Sequence, residues 1–129
     1  MSIPFLNLAA AYLELKTEID EAVARVLNSG WYILGPEVEQ FEAEWAHYCG
    51  ANHAVGLGNG LEALKLALRA LDVGPGDEII VPSNTYIATW LAVSAVGATP
   101  VPVEPLASSF NLDPTKIEAA LTSKTKVVL

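Results

Sequence analysis

The stretch EIIVPSNTYIATWLAVSAVGATPVPVE, residues 78–104, alternates two kinds of secondary structure within a short length of chain. Short runs rich in valine and isoleucine at 78–81 and 100–104 are typical of buried strands. Between them, residues 85–96 are apolar over a length that suits a helix, and Gly97 follows as a helix-ending residue. A strand, a helix and a second strand in this order predict a right-handed crossover between parallel strands.

The same alternation continues on both sides of this segment. Two further strands are predicted at 54–57 and 126–129, and two further helices at 61–71 and 113–121. Because crossovers between parallel strands are right-handed, the helices are expected on both faces of the sheet. The sequence therefore predicts an α/β fold with a mostly parallel sheet.

Two amphipathic helices are predicted ahead of this pattern. Residues 13–27 place apolar side chains three and four positions apart, with charged residues between them. The second helix begins at Pro36, which suits a first helical position, and ends at Gly50.

The composition narrows the class of protein. The chain has 129 residues, 52% of them hydrophobic, and a formal net charge of -8 without a basic run. This charge argues against binding to nucleic acid or to an anionic membrane surface. A single cysteine, Cys49, excludes an internal disulfide and fits a reducing compartment. The sequence shows no signal-like or membrane-spanning segment, so we expect a cytoplasmic protein.

The last residues read as an inner strand with no closing turn or helix after it. We therefore expect the chain to be the front part of a longer protein. On its own, an apolar strand at 126–129 would present an open edge that invites pairing or aggregation.

The segment GLGNGLEALKLAL, residues 56–68, carries three glycines between a predicted strand and a predicted helix. A dinucleotide-binding fingerprint requires a third glycine at position 61, where this chain has Leu61, and a Walker A loop requires a lysine directly after the last glycine. Both motifs are therefore excluded. The free N–H groups at the start of the helix can still bind an anion, and a tight turn that uses Gly60 for backbone freedom is the alternative. Both interpretations stay open at this point.

Residues 81–93, VPSNTYIATWLAV, repeat the arrangement of a strand, a polar turn and a helix. In open α/β sheets, ligands bind beyond the carboxyl ends of the strands, where this turn and the glycine turn would both lie. The ring of Tyr86 could stack on a flat heteroaromatic ligand at this edge, and packing in the core is its alternative role.

Several segments of the sequence together resemble one protein family. They are IPFLNLAAAY, SGWYILGPEVEQFEAEWAHYCGANHAVGLGNGLEALKLAL, GPGDEIIVPSNTYIATWLAVSAVGATPVPVEP and FNLDPTKIEAALTSKTKVV. Their most specific features are Gly-Pro followed by Phe41-Glu42, the Asn59-Gly60 turn followed by Ala63-Leu64, and Thr85-Tyr86 with Ala88-Thr89. On these motifs the chain resembles the amino-terminal part of the DegT/DnrJ/EryC1/StrS family of pyridoxal-phosphate-dependent sugar aminotransferases. The resemblance covers almost the whole sequence.

The resemblance implies a fold-type I large domain that binds pyridoxal 5′-phosphate. It places the phosphate of this cofactor at the turn formed by Asn59, Gly60, Leu61 and Glu62, held largely by backbone N–H groups, and Tyr86 against the pyridine ring. At position 61 the family commonly has a threonine, so one side-chain contact to the phosphate is missing here.

The resemblance also assigns parts of the chain to roles. The loop at 30–36 is similar to a family loop near the active site, so Tyr32 is expected to contact the substrate. Residues 1–35 would then form an amino-terminal helix with this active-site loop. Residues 36–129 would form the first, incomplete part of the cofactor-binding large domain.

Transamination requires a lysine that forms a Schiff base with the cofactor and transfers protons. The lysines of this chain lie at polar helix positions or beside the last strand, and in the family the reactive lysine comes later in the sequence. We therefore predict no catalytic residue among these 129 residues and no activity for them alone.

By resemblance we expect an enzyme that transfers an amino group, with glutamate as the donor, to a keto-sugar nucleotide in amino-sugar biosynthesis, and that forms homodimers. The motifs GNGLEAL, NTYIATWLAVSAVGA and VPVEP are most similar to the branch that aminates dTDP-linked 3-keto-6-deoxyhexoses. Amination of a 4-keto sugar or of a ketocyclitol is an alternative, as is a non-catalytic regulatory or structural protein of the same fold. A Rossmann-type nucleotide-binding module is disfavoured, because its second strand would end in an acidic residue and this one runs into Pro82.

Three potential metal ligands, His47, Cys49 and His53, lie close together in the sequence. A helix end packed with Trp45 and Tyr48 explains them as structural residues, and a metal site would need further ligands at suitable geometry. No metal site is therefore predicted.

Overall fold

The computed structural model of the protein describes residues 4–129, which form two compact units. The first unit extends to Gly56 and is helical, and the second runs from Leu57 to Leu129 and contains a sheet. Within the described residues, no helix combines the length and the apolar character needed to cross a membrane.

The first unit contains three helices, α1 (Leu8–Glu14), α2 (Lys16–Ser29) and α3 (Pro36–Cys49). The single helix predicted over 13–27 is therefore wrong at its start, because the backbone leaves helical geometry at Leu15, with φ -108° and ψ 18°. The apolar spacing does not reveal this break, since the hydrogen bonds from Leu15 N–H to Ala11 O and from Ile19 N–H to Leu15 O continue across it.

The helix predicted from Pro36 to Gly50 is confirmed. Pro36 occupies the first helical position, where a missing N–H breaks no intrahelical hydrogen bond. At the other end Gly50 adopts a left-handed conformation with φ 66°, and the N–H groups of Gly50 and Ala51 donate to the carbonyls of His47 and Ala46. These two hydrogen bonds end the helix in a Schellman motif.

Residues 54–57 do not form the strand that the sequence predicts. The N–H of Gly56 donates to a carboxylate oxygen of Glu42 in α3 at 2.6 Å, so a side chain takes the place of a neighbouring strand. A Cβ atom at position 56 would lie 3.3 Å from this oxygen and 3.4 Å from the Val38 side chain. The glycine therefore allows the chain to pass close to α3.

The second unit alternates helices and strands: α4 (Gly60–Ala70), β1 (Glu78–Pro82), α5 (Ile87–Ala95), β2 (Thr99–Val103), α6 (Ile117–Ala120) and β3 (Thr125–Val128). The elements predicted at 61–71, 78–81, 85–96, 100–104 and 126–129 are confirmed, with ends displaced by at most two residues. The helix predicted at 113–121 is confirmed only in part, because a 3-10 turn at Pro114–Lys116 replaces its first turn.

The three strands form a parallel sheet in the order β2-β1-β3, which confirms the predicted parallel pairing. β1 lies in the centre, with Glu78 opposite Thr99 of β2 and Thr125 of β3. The chain moves from β1 to one side of the sheet for β2 and then across to the other side for β3. If both crossovers follow the right-handed rule, these opposite directions place α5 and α6 on opposite faces of the sheet.

The core of the second unit surrounds β1, whose three central residues have no solvent exposure. Ile79 and Val81 point to one face of the sheet, where they pack with Leu68 of α4 and Val93 of α5. Ile80 points to the opposite face and is also fully buried. A strand buried on both faces is typical of a parallel sheet that is covered on both sides.

The turn between α5 and β2 requires a glycine. Gly97 has φ +82°, and the N–H groups of Gly97 and Ala98 donate to the carbonyls of Ser94 and Val93. A Cβ atom at position 97 would also lie 3.0 Å from the Pro75 side chain. Position 97 therefore combines a left-handed backbone with the close approach of a second turn.

β2 is an edge strand among the described residues and contains two prolines, Pro100 and Pro102. The Thr99 N–H donates to Asp77 O next to β1, and alternate residues of a strand direct their N–H groups to the same side. The positions of the two prolines therefore face away from β1. Their missing N–H groups break no hydrogen bond of the sheet.

Candidate functional site

The turns that precede α4 and α5 lie on one open cleft of about 750 Å³ in the second unit. The start of each helix lines this cleft: Asn59, Gly60, Leu61, Ala63, Leu64, Tyr86, Ile87, Ala88, Thr89 and Leu91. The structure thus brings together the two turns that the sequence singles out. Four of the five residues predicted to bind the cofactor line the cleft, and Glu62 does not.

Asn59 determines which backbone N–H groups are free at the start of α4. It is the N-cap residue, and its side-chain oxygen accepts the N–H of Glu62 at 3.0 Å while its carbonyl accepts the N–H of Ala63. Within residues 4–129, the N–H groups of Gly60 and Leu61 have no acceptor. Two donors at the positive end of the helix dipole are therefore available to a ligand.

Gly58 and Gly60 are not required by the fold of the described chain. Neither has a positive φ, so the alternative that Gly60 supplies backbone freedom is not supported. A Cβ atom at either position would meet no other atom within 4 Å. The open space at Gly60, which lines the cleft, leaves its backbone accessible to a ligand.

The acidic side chain in the first turn of α4 is paired with a lysine one turn further along. Lys65 Nζ lies 2.8 Å and 2.9 Å from the two carboxylate oxygens of Glu62. The pair carries no net charge. The carboxylate therefore repels an anion at the start of α4 less than a free carboxylate would.

Tyr86 lines the other side of the cleft and is 80% exposed. Tyr86 directly precedes the first residue of α5, and its own backbone is extended, with φ -64° and ψ 139°. Beside it, the hydroxyl groups of Thr85 and Thr89 share a hydrogen bond at 3.0 Å. The alternative role of Tyr86 in core packing is not observed among the residues that the structure describes.

Sequence reasoning missed the apolar wall of the cleft. Ile87 and Leu91, one turn apart on α5, line the cleft with about half of each side chain exposed. Leu61 joins this wall from α4 and also packs against the core. A helix as apolar as α5, with almost no polar face, is the signal that could have indicated a second apolar surface.

Tyr32, the predicted substrate contact, belongs to the first unit and does not line this cleft. Its hydroxyl donates to Leu27 O at 3.3 Å, and the ring N–H of the neighbouring Trp31 donates to Ile33 O at 2.8 Å. Both rings lie beside a cavity of about 310 Å³ within the first unit. A substrate role for Tyr32 stays a prediction.

An ion pair borders this smaller cavity. Arg25 Nε donates to Glu37 Oε1 at 2.7 Å, and this hydrogen bond holds the pKa of the Glu37 carboxyl below its ordinary value. The same contact raises the pKa of the Arg25 guanidinium. Both charges are therefore satisfied within the chain itself.

None of the lysines is among the residues that line the cleft. Four of them pair with carboxylates: Lys16, Lys65, Lys116 and Lys126. In the part of the chain that the structure describes, no three potential metal ligands come together, and this includes His47, Cys49 and His53.

The sequence of this chain matches one family of known proteins. Residues 13–129 match the sequence model of the DegT/DnrJ/EryC1/StrS aminotransferase family. The chain is 62% identical over 127 residues to the dTDP-3-amino-3,4,6-trideoxy-alpha-D-glucose transaminase of Streptomyces venezuelae, which covers 98% of this chain and 34% of that protein. It is 60% identical over 129 residues to the erythromycin biosynthesis sensory transduction protein EryC1 of Saccharopolyspora erythraea, which covers 100% of this chain and 35% of that protein.

A solved structure shows the same fold. The crystal structure of DesV from S. venezuelae, in complex with a ketimine intermediate, superimposes with a TM-score of 0.94 at 62% identity. The match covers 98% of this chain and 34% of that chain. This chain therefore spans about a third of the length of the relatives it matches. The predicted fold class, the large domain of a fold-type I transferase, is confirmed over that length, and the chain belongs to the DegT/DnrJ/EryC1/StrS aminotransferase family.

Proposed function

We propose that this chain forms the first part of the cofactor-binding domain of an aminotransferase that uses pyridoxal 5′-phosphate. The amino group would pass from glutamate to a keto-sugar nucleotide, and we propose a dTDP-linked 3-keto-6-deoxyhexose as the acceptor. The observation that supports this function most directly is the cleft that brings the free N–H groups of α4 and the exposed ring of Tyr86 together.

The residues around the cleft fit a phosphate attached to a flat aromatic ring. The N–H groups of Gly60 and Leu61 suit the phosphate oxygens, and the absence of a Cβ atom at Gly60 leaves the backbone accessible. The ring of Tyr86 suits a planar heteroaromatic ligand. Because no cationic side chain lines the cleft, we propose that backbone donors bind the phosphate here.

When bound, pyridoxal phosphate supplies a conjugated ring that withdraws electrons from the bond that is broken. The residues of this chain would bind and orient that ring: the N–H groups at the start of α4 would hold its phosphate, and Tyr86 would lie against the ring. Ile87 and Leu91 would exclude water on the same side. Amine transfer also requires a reactive lysine and an acid beside the ring nitrogen, which we propose come from residues outside this chain. We therefore expect this chain alone to be inactive.

The proposal of this acceptor is based on the activity for which one relative is named. The relative from S. venezuelae is a transaminase of a dTDP-3-amino sugar, and its high identity to this chain supports an acceptor of the same class. A 4-keto sugar or a ketocyclitol is the alternative acceptor.

Cofactor binding is tested with the complete gene product that contains this sequence, purified without cofactor and titrated with pyridoxal phosphate. We expect saturable binding that Tyr86→Ala weakens by roughly three- to tenfold, the loss typical of removing an aromatic stacking partner. Tyr48→Ala is the matched control, because Tyr48 is also 80% exposed but lies on α3 in the first unit. Unchanged binding in Tyr86→Ala, or an equal loss in Tyr48→Ala, contradicts the proposed site.

The acceptor is tested separately. Glutamate-dependent amination of a dTDP-3-keto-6-deoxyhexose is compared with amination of the 4-keto isomer and of a ketocyclitol at equal concentrations. Conversion of the 3-keto sugar supports the proposal. Conversion of only one of the other two replaces the acceptor and leaves the proposed cofactor site unaffected.

A non-catalytic regulatory protein is the second candidate, because the relative EryC1 of S. erythraea is named a sensory transduction protein. Cofactor binding without amination of any of the three acceptors would favour this candidate.

We further propose that the complete protein is a cytoplasmic homodimer, which analytical ultracentrifugation and cell fractionation can test. The net charge of -8 and the single cysteine agree with a reducing, non-membrane environment. The functional division of the chain at residue 35 likewise stays a proposal. The compact units of the structure divide at Gly56.

A further inference from the structure

The ion pair between Lys65 and Glu62 lies in the first turns of α4, at the end of the helix that faces the cleft. Lys65 Nζ contacts both carboxylate oxygens of Glu62 within 2.9 Å. The lysine side chain is only 24% exposed, so much of it is shielded from solvent. The cofactor phosphate proposed above would bind next to this pair.

Glu62 by itself would weaken the binding of an anion at this place. Its N–H is held by the Asn59 side chain at 3.0 Å, so the residue is fixed in the turn that begins with Gly60 and Leu61. A carboxylate in this turn is favoured by the helix dipole, but it repels a phosphate dianion. The cleft offers no cationic side chain among its lining residues to offset this repulsion.

We infer that Lys65 is a positioning residue for the cofactor phosphate: its ammonium group holds and neutralises the Glu62 carboxylate, which lowers the repulsion of a dianion bound at the N–H groups of Gly60 and Leu61. The inference rests on the proposed function, since it takes the phosphate to bind at the start of α4. Lys65 does not line the cleft, so its effect on the phosphate passes through Glu62.

The test compares the dissociation constants of pyridoxal phosphate and of pyridoxal, which lacks the phosphate, for the complete gene product. In Lys65→Met the carboxylate is left uncompensated, and Coulomb repulsion of a dianion across several ångströms of water-like medium predicts roughly fivefold weaker binding of pyridoxal phosphate. Binding of pyridoxal is expected to stay unchanged. Added salt should reduce the fivefold difference, because it screens the repulsion.

Two further variants separate the effect of charge from an effect on folding. The double variant Lys65→Met with Glu62→Gln has no carboxylate to neutralise, and it should recover the wild-type affinity for pyridoxal phosphate. Lys116→Met is the matched control, because Lys116 pairs with Asp113 at the same three-residue spacing on a different segment. This control should change neither dissociation constant.

Two results would overturn the inference. One is wild-type affinity for pyridoxal phosphate in Lys65→Met. The other is a double variant as weak as Lys65→Met, which would mean that the ammonium group acts on the phosphate directly or supports the fold.

If the proposed function is wrong, the dissociation constants of pyridoxal phosphate and pyridoxal will show a different pattern. If the wild-type protein binds pyridoxal phosphate no more tightly than pyridoxal, the phosphate does not bind at α4, and the proposed site and the role of Lys65 are both wrong. If the phosphate contributes to wild-type affinity and Lys65→Met has no effect, only the role of Lys65 is wrong.

Discussion

We expect a negative charge at the N-cap residue of α4 to have two opposite effects. It should raise the stability of the helix and lower the affinity of the helix start for an anion. Asn59 accepts the Glu62 N–H at 3.0 Å, and aspartate is an equally good N-cap residue whose negative charge the helix dipole favours. Asn59→Asp should therefore raise the free energy of unfolding of the cofactor-free protein by about 0.5 kcal/mol. Because residue 59 lines the cleft, the same charge should oppose a phosphate dianion by about 1 kcal/mol, or roughly fivefold in Kd.

Thermal unfolding of the cofactor-free protein and titration with pyridoxal phosphate measure these two effects separately. Asn59→Ser keeps a neutral N-cap and should retain most of both stability and affinity. Asn59→Ala should lose about 1 kcal/mol of stability, because the Glu62 N–H loses its acceptor. The reasoning is refuted if Asn59→Asp binds pyridoxal phosphate as tightly as the wild type, or if Asn59→Ser weakens binding as much as Asn59→Asp.

Three further predictions concern the fold of the second unit. Gly97→Ala should lower the free energy of unfolding in urea by about 2 kcal/mol, because position 97 has φ +82° and a new Cβ atom would lie 3.0 Å from Pro75; an unchanged midpoint would contradict this. Leu68→Ala should lower the melting temperature through a loss of about 3 kcal/mol, since Leu68 is 1% exposed, and an unchanged melting temperature would argue against its place in the core. Hydrogen bonds from Thr115 hold the pKa of the Asp113 carboxyl below its ordinary value of 3.8, so the folded state binds its proton less readily than the unfolded state does. This stabilisation is present above pH 3.8 and is lost as the pH falls through the folded-state pKa. Asp113→Asn should therefore flatten the acid limb of a stability profile followed by circular dichroism, and a profile identical to the wild type would contradict the assignment.

The central strand β1 could be predicted because a strand buried on both faces is a continuous apolar run, and residues 79–81 form such a run. The order of the three strands across the sheet could not be predicted, since it depends on packing between distant segments. Residues 54–57 show the opposite case. They read as a strand, but the Gly56 N–H is bound by Glu42, 14 positions earlier, and a side-chain contact over that separation leaves no periodic signal.

The position of the candidate site could be predicted in part because both turns precede helices. The structure brings the turns at Asn59 and Tyr86 to one cleft, although only the Tyr86 turn follows a strand. The apolar character of α5 indicates a second apolar surface, but the sequence does not show which side packs in the core, so the residues of the wall, Ile87 and Leu91, could not be predicted. Glu62 and Lys65 are three residues apart on one helix, a spacing at which side chains are neighbours. Their pairing could therefore have been recognised in the sequence.

The two prolines of β2 that face away from β1 allow a further strand to be added at only one edge of the sheet. A strand added beyond β2 would find no N–H donors at positions 100 and 102, so that edge resists an additional strand and edge-to-edge contact with another molecule. β3 contains no proline and keeps its N–H groups. Any strand that a longer gene product contributes to this sheet, and any unwanted self-association of the chain on its own, is therefore directed to β3.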